Sequence, residues 1–530
     1  MQKRNWLEIF FMLALLFCAA CVPHSDSVYV QPLDLSGPIA SLTSAALTDA
    51  PPTDTPTALP SNTPEPVSSD GRISPTHPAL YNMAIPTLRS EPTEHTVQSG
   101  ETITIIASLY QVSKDALIKA NEIKNADMIS VGQVLQIPAQ IPDYKDPGIK
   151  IIDDSELPDG PACANFDTAA FLSSYPDSYI ASYIEPTPTP IPDSGNKEND
   201  SFISRKGSEV IDDTSIQNSI NPKILIALLE FQSQTLSGKK PGENQKGYEI
   251  VNLGKNYKSL SRQLSWASIQ LNYGYYQWKA KKLNEWILQD DTVVEVNSQM
   301  NAGTAALQYL FSQIYDESNW KYAVSANGFS QVYKNLFGKA EDFANQPASS
   351  NSFPNLELPI PEGEVWSYTS GPHNAYTDGT PWGALDFAPP DALGCNPSSH
   401  WVEASIPGKI VYSNKGLVIE DLDGDGNLRT GWEIIYLHIA TQDRIENGAD
   451  VQVGDKIGHP SCEGGIADGA HVHFSRRYNG EWLPIDAEHP MILSGWEAFS
   501  EGTNYDGYLV RGDQIAEAWF YKTKESEISK

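Results

Sequence analysis

The spacing of apolar side chains changes character several times along the chain. Lys3 and Arg4 precede a mostly apolar stretch from Trp6 to Ala20, which is shorter than a membrane-spanning helix and has the charge order of a secretory signal over 1–21. From 22 to 93 Pro, Thr, Ser and Asp dominate, so little is available for burial and an extended tether is expected. Residues 94–139 return to a foldable pattern. A strand-like start at Thr96 and Val97 is followed by a Ser99 to Thr102 turn and helical spacing in Ile103, Ile106, Ala107 and Tyr110. A second helix, capped by Ser113 with Leu117 and Ala120 inside, and a closing strand through Val134, Leu135 and Ile137 complete a predicted βααβ unit.

Between 154 and 346 the period becomes helical, in Ile224, Leu225, Leu228 and Leu229, then Leu264, Ala267 and Leu271, then Ala302, Ala305, Ala306, Tyr309 and Leu310. An all-α middle domain is predicted. Asn221-Pro222 starts one of its helices, and a Pro-rich insertion near 185–200 interrupts it. From 361 to 512 short apolar runs alternate with Gly, Pro, Asn and Asp, which predicts mostly antiparallel β-sheet. The whole is multidomain, as 530 residues require.

Charge narrows the partners. With 36 Lys and Arg against 67 Asp and Glu the formal net charge is −31, which repels phosphate backbones and anionic headgroups, so nucleic acid is not an expected partner.

Chemistry concentrates near the C-terminus. His471 and His473 flank Val472, and in a strand residues two apart project from one face, so both imidazoles enter one site where they can serve a metal. An HxH alone is weak evidence, because exposed histidines are common. Asp421, Asp423 and Asp425 place acidic oxygens at alternate positions as a calcium loop does, but the twelfth position is Trp432 in place of a bidentate Glu, so a hairpin turn competes with Ca2+ binding. Trp266, Trp278 and Trp286 stand either for core packing or for sugar stacking. His400, His459 and His489 are expected in surface or structural roles.

Several segments resemble known families. Cys18-Ala19-Ala20-Cys21 resembles the lipobox of bacterial lipoproteins, which implies a lipid anchor on Cys21 and a membrane as partner. Thr96-Val97-Gln98-Ser99-Gly100-Glu101-Thr102, Ala120-Asn121 and Val131 to Pro138 resemble the LysM domain, which implies binding of peptidoglycan glycan strands. The helical segment around Leu228 to Ser233 looks faintly like a lytic transglycosylase, but Gln232 stands where that family has its acidic Glu, and Glu230 lies on another side of the helix.

Cys462-Glu463-Gly464-Gly465, Gly469-Ala470-His471-Val472-His473-Phe474 and Tyr436-Leu437-His438 resemble the lysostaphin-like zinc endopeptidases of bacterial cell walls. Most members take their first ligands from His-x-x-x-Asp, and four residues before Asp386 stands Trp382. The β-lytic and staphylolysin branch has instead a Gly-(small)-His segment farther upstream, matched by Gly371-Pro372-His373, 13 residues before Asp386, and it shares the Tyr478-Asn479-Gly480 turn. The resemblance implies His373, Asp386 and His473 as ligands of one Zn2+, with a fourth position open to water, His471 as general base and His438 as oxyanion stabiliser.

The expected protein is thus an exported, extracytoplasmic cell-wall hydrolase. It would cut peptide bonds in peptidoglycan stems or crosslinks, with glycine-containing bonds favoured by the branch. The competing reading is a non-catalytic wall-binding lipoprotein that scaffolds or activates another hydrolase. Cys395 and Cys462 fall in the peptidase region and are candidates to pair after export, with Cys163 left over.

Overall fold

The computed structural model describes residues 89, 91–98, 100–110, 112–126, 128–139, 143–185, 204–238, 246–338 and 353–530. The signal segment, Cys21, nearly all of the tether and most of the Pro-rich insertion lie outside the described residues. Among the described residues no helix is long and apolar enough to cross a membrane.

The first folded unit is the expected βααβ. Strand Thr93–Thr96 pairs antiparallel with Val134–Ile137, and helices Ile103–Leu109 and Lys114–Ala120 lie between them in sequence. Its core is Val97, Ile103, Ile106, Ala107, Leu117, Leu135 and Ile137. Ser113 caps the second helix by accepting from the Ala116 amide at 2.9 Å. Ala120 is exposed, not inside, because the helix ends there and its inner face is carried by Leu117.

The middle region is helical but not all-α. Its main helices are Gly207–Asn218, Pro222–Ser233, Leu260–Lys279 and Ala302–Ser312. Asn221 caps the second of these, with Pro222 in its first turn. A three-stranded sheet joins Tyr144–Lys145, Val293–Glu295 and Glu285–Ile287, and Ile184–Glu185 pairs with Arg205–Lys206. Strands of two or three residues leave no period to read, which is why the pattern predicts helices alone.

The C-terminal region is built on a nine-stranded sheet. Its central order is Gly408–Asn414, Leu417–Asp421, Trp432–Leu437, Val472–Tyr478, Trp382–Ala388 and Trp366–Asn374, all antiparallel neighbours. Glu527–Ile528 closes the edge beside Trp366, so the sheet draws on chain beyond residue 512. A separate four-stranded sheet spans Ile492–Leu493 to Gln514–Glu517.

Both faces of the central strands are covered. Val418, Ile434, Tyr436, Val472 and Phe474 enter the core of the C-terminal region itself. Leu417, Ile419, Ile435 and Leu437 belong to a second core shared with the helical region, together with Tyr412, Ala375 and Trp482. Burial on two faces explains why Leu417 to Ile419 and Ile434 to Leu437 are continuous apolar runs instead of alternating ones. Polar contacts reinforce this junction: Arg477 donates to the Ile216 carbonyl at 2.9 Å, the Trp482 amide donates to the Tyr276 hydroxyl at 2.9 Å, and Arg429 pairs with buried Asp159 at 2.6 Å.

Candidate metal centre

The three expected ligands come from three adjacent strands. His473 lies opposite Asp386 on one side and Leu437 on the other, so its register fixes the carboxylate beside the imidazole. His373 reaches the same point by a less regular route. The pairing of its strand with Trp382–Ala388 slips between Tyr368 and Ser370, between Ser370 and His373, and again after His373. Such bulges re-aim side chains. Gly371 passes so close to Asp506 that a Cβ would lie 2.5 Å from its carbonyl carbon, which accounts for glycine in this segment.

His373 Nε2 and His473 Nδ1 are 3.0 Å apart, and each is 3.3 Å from Asp386 Oδ1. All three side chains are buried. The far nitrogen of each ring is committed: His373 Nδ1 faces the Gly371 carbonyl at 2.8 Å and His473 Nε2 the Ala375 carbonyl at 2.9 Å. A carbonyl only accepts, so those nitrogens carry the hydrogens and the inward nitrogens present lone pairs. Asp386 Oδ1 has no hydrogen-bond partner. Burial opposes ionisation of Asp386, whereas the His373 and His471 rings, when protonated, favour the carboxylate strongly enough to set its pKa well below the ordinary range. Two imidazole lone pairs facing a buried carboxylate oxygen are repelled by it unless a cation lies between them, and a His-Asp-His donor set suits a first-row divalent ion.

Two further imidazoles border this cluster. His471 Nε2 is 3.6 Å from Asp386 Oδ2, while its Nδ1 faces the Gly469 carbonyl at 2.8 Å. His438 follows strand Trp432–Leu437 in the left-handed region at φ 68°, a conformation uncommon outside glycine; its carbonyl accepts from the Ser461 amide, and the next amide, of Ile439, donates to the Gly416 carbonyl. Its ring lies 4.6 Å from that of His471, and its Nδ1 faces the Glu463 carbonyl at 2.9 Å. Burial, followed by the neighbouring His471 and His473 rings, pushes the His438 pKa well below the usual histidine value, so this ring is neutral.

One aromatic at the site escaped the sequence reading. Tyr505 stacks on His373 with ring centres 4.8 Å apart and planes at 26°. It comes from the turn between strands Trp496–Ser500 and Gly507–Arg511, and no spacing in the sequence ties it to His373.

Other candidates separate from the cluster. His400 pairs with Glu364, His459 faces the His400 carbonyl, and His489 pairs with Asp486. Cys395 and Cys462 form a disulfide, while Cys163 is free and buried. The oxygens of Asp421, Asp423 and Asp425 lie within 4.8 Å of one another, but Asp421 and Asp423 spend theirs on amides of their own loop. That loop joins two antiparallel strands as a hairpin, and nothing beyond the acidic cluster supports Ca2+. Trp266, Trp278 and Trp286 are buried and belong to the core, so sugar stacking is not their role. Gln232 accepts from the Tyr315 hydroxyl at 2.6 Å, and Glu230 accepts from the Leu236 amide at 2.8 Å, closing the turn after its helix.

Two imidazoles and a carboxylate on an antiparallel sheet form a group that could hold a metal ion. The comparisons specify it further. Residues 95–138 match the LysM domain and 150–349 match the LasA N-terminal domain, the latter in place of the transglycosylase likeness. The chain is 26% identical over 191 residues to the β-lytic metalloendopeptidase of Achromobacter lyticus, covering 34% of this chain and 46% of that protein. It is 25% identical over 303 residues to protease LasA of Pseudomonas aeruginosa, covering 53% of this chain and 68% of that one. The solved structure of pseudoalterin, titled a novel M23 metalloprotease from the deep sea, covers 32% of this chain and 96% of its own at 26% identity and a TM-score of 0.27. The chain is thus similar, over its C-terminal and middle regions, to metallopeptidases of the LasA and β-lytic kind, and it carries a LysM domain. It spans a little under half the length of the Achromobacter relative.

Proposed function

We propose that the protein is an exported, zinc-dependent endopeptidase that hydrolyses peptide bonds in peptidoglycan stems or crosslinks. The observation that carries this reading is the convergence of His373 Nε2, His473 Nδ1 and Asp386 Oδ1 with no hydrogen available between them. Zinc, when bound there, supplies Lewis acidity toward the scissile carbonyl and toward water.

The chain's own residues account for the rest. His471 Nε2 presents a lone pair beside Asp386 and takes the proton of the attacking water, then gives it to the departing amine. His438 is held with its Nδ1 hydrogen on Glu463 and its Nε2 unprotonated. A neutral ring in that tautomer accepts instead of donating, so we assign His438 to proton transfer together with His471. Oxyanion stabilisation would require it to gain a proton first. Tyr505 stacks on the His373 ring at this site.

The LysM domain supplies a second attachment to the same polymer. Two binding modules on one chain raise the local concentration of the peptidase at an insoluble wall without any new contact at the reacting bond. A lipid anchor on Cys21 would hold the protein at the membrane face of that wall.

The test is incubation of purified peptidoglycan with the full chain, followed by mass analysis of the released material. New amine and carboxyl ends are expected, and they should disappear when His473 is replaced by Ala. Binding to the wall without new ends would reduce the protein to an adhesive.

A further inference from the structure

His438 directly follows strand Trp432–Leu437 and His471 directly precedes strand Val472–Tyr478, yet one loop holds them both. The Glu463 carbonyl faces His438 Nδ1 at 2.9 Å and the Gly469 carbonyl faces His471 Nδ1 at 2.8 Å. These two contacts set the tautomer of each ring and turn its Nε2 away from the loop. The loop that provides them contains Gly464, Gly465 and Gly469, with Gly464 at φ +85°, so its backbone has little intrinsic preference for this shape. Ile466 at its tip is fully exposed.

The loop is attached at both ends to the segment around Cys395, and at Glu463 also through the Ser461 and Thr441 hydroxyls and Arg444. Cys462, directly before Glu463, is bonded to Cys395, and the Ala470 amide, directly before His471, donates to the Gly394 carbonyl at 2.7 Å. The bridge joins positions 67 residues apart, so it ties the loop to chain that sequence alone leaves distant. The metal ligands are oriented independently, by the carbonyls of Gly371 and Ala375, which lie outside this loop.

Resting on the peptidase reading above, we propose that the Cys395–Cys462 bridge is the positioning element of both auxiliary imidazoles. By pinning residues 463–469 it fixes the two carbonyls that hold His438 and His471, so hydrolysis depends on the bridge whereas metal binding does not.

The test uses the full chain as Cys395→Ala/Cys462→Ala, and separately as Gly465→Ala, whose added Cβ would lie 3.2 Å from His438 Cε1 with the bridge intact. Both are assayed well below their unfolding midpoints. The expected result is zinc content equal to wild type, KM on a crosslinked wall peptide within about twofold, and kcat lowered at least about tenfold. Wild type treated with a phosphine reductant should lose activity to the same extent and regain it on reoxidation. Nitrogen NMR of the histidine rings gives a readout apart from activity: the Nδ1-protonated signals of His438 and His471 should be present in wild type and averaged in the double variant. Unchanged kcat with unchanged ring signals overturns the proposal, and so does loss of zinc alongside activity, which would make the bridge merely structural. A wild type that cuts no peptide overturns the peptidase reading, and the ring signals then decide the positioning role by themselves.

Discussion

His373 Nε2 stands 3.0 Å from His473 Nδ1, and neither nitrogen has a hydrogen to give the other, because each ring spends its N–H on a backbone carbonyl. With Asp386 Oδ1 at 3.3 Å from both, the three atoms form a group suited to a cation. The full chain should therefore retain about one zinc per molecule, and His473→Ala should release it. Asp386→Asn makes a sharper test. The amide brings hydrogens into the cluster of lone pairs, so this variant should bind no zinc and yet unfold at or above the midpoint of the metal-free wild type. Metal analysis and thermal unfolding check the pair of expectations, and retention of zinc by Asp386→Asn would count against the ligand set.

The two outer imidazoles should behave differently from the ligands. His471→Gln and His438→Gln leave the three converging atoms in place, so each should keep its zinc while kcat falls by about 10²–10⁴, the range typical of lost proton transfer. If His438 worked only by donating to an oxyanion, its loss should instead leave the basic limb of the pH–rate profile intact. Steady-state kinetics on a defined wall peptide, with metal content measured on the same samples, separates these cases.

How much of this site the sequence reveals depends on local geometry. His471 and His473 are legible because a strand puts alternate residues on one face. His373 is not legible by period, since three register slips and Pro372 separate it from regular pairing with Asp386, and only the family resemblance joins them. Tyr505 arrives from a turn more than a hundred residues away in sequence, where no pattern signals it. In the middle region, helices announced themselves through apolar spacing, whereas the strands at Glu285–Ile287 and Val293–Glu295 are too short to do so. The continuous apolar runs in the C-terminal sheet carried a further message, burial on both faces, that becomes readable once the helices are seen against one of them.

That shared core has a thermodynamic consequence. Trp482 is buried, stacks parallel on Tyr376 with ring centres 5.6 Å apart, lies under the Arg477 guanidinium at 5.3 Å, and donates its amide to Tyr276 of the helical region. Helical and peptidase regions should consequently unfold in one calorimetric transition. Trp482→Ala should cost about 3–5 kcal/mol, the range for emptying a large aromatic site, and should lower the stability of both regions together. Two well-separated transitions in the wild type would show that the junction is weaker than its burial suggests.

Glu420, buried in the sheet, should make stability fall as pH rises. Burial lifts the Glu420 carboxyl to about 7, against a smaller opposing effect from the Tyr436 hydroxyl, which donates to Oε2 at 2.7 Å, and its Oε1 has no hydrogen-bond partner. Between the ordinary carboxylate pKa and about 7 the folded protein holds a proton that the unfolded chain has released, so the contribution of this group is present at acid pH and is lost as pH climbs through that window. Glu420→Gln keeps an oxygen for Tyr436 and removes the charge. It should be close to neutral near pH 4.5 and stabilising by about 1–3 kcal/mol at pH 8, as one pKa unit corresponds to about 1.4 kcal/mol. Urea unfolding of both proteins across that range provides the measurement, and parallel pH curves for the two would show that Glu420 titrates normally in the folded state.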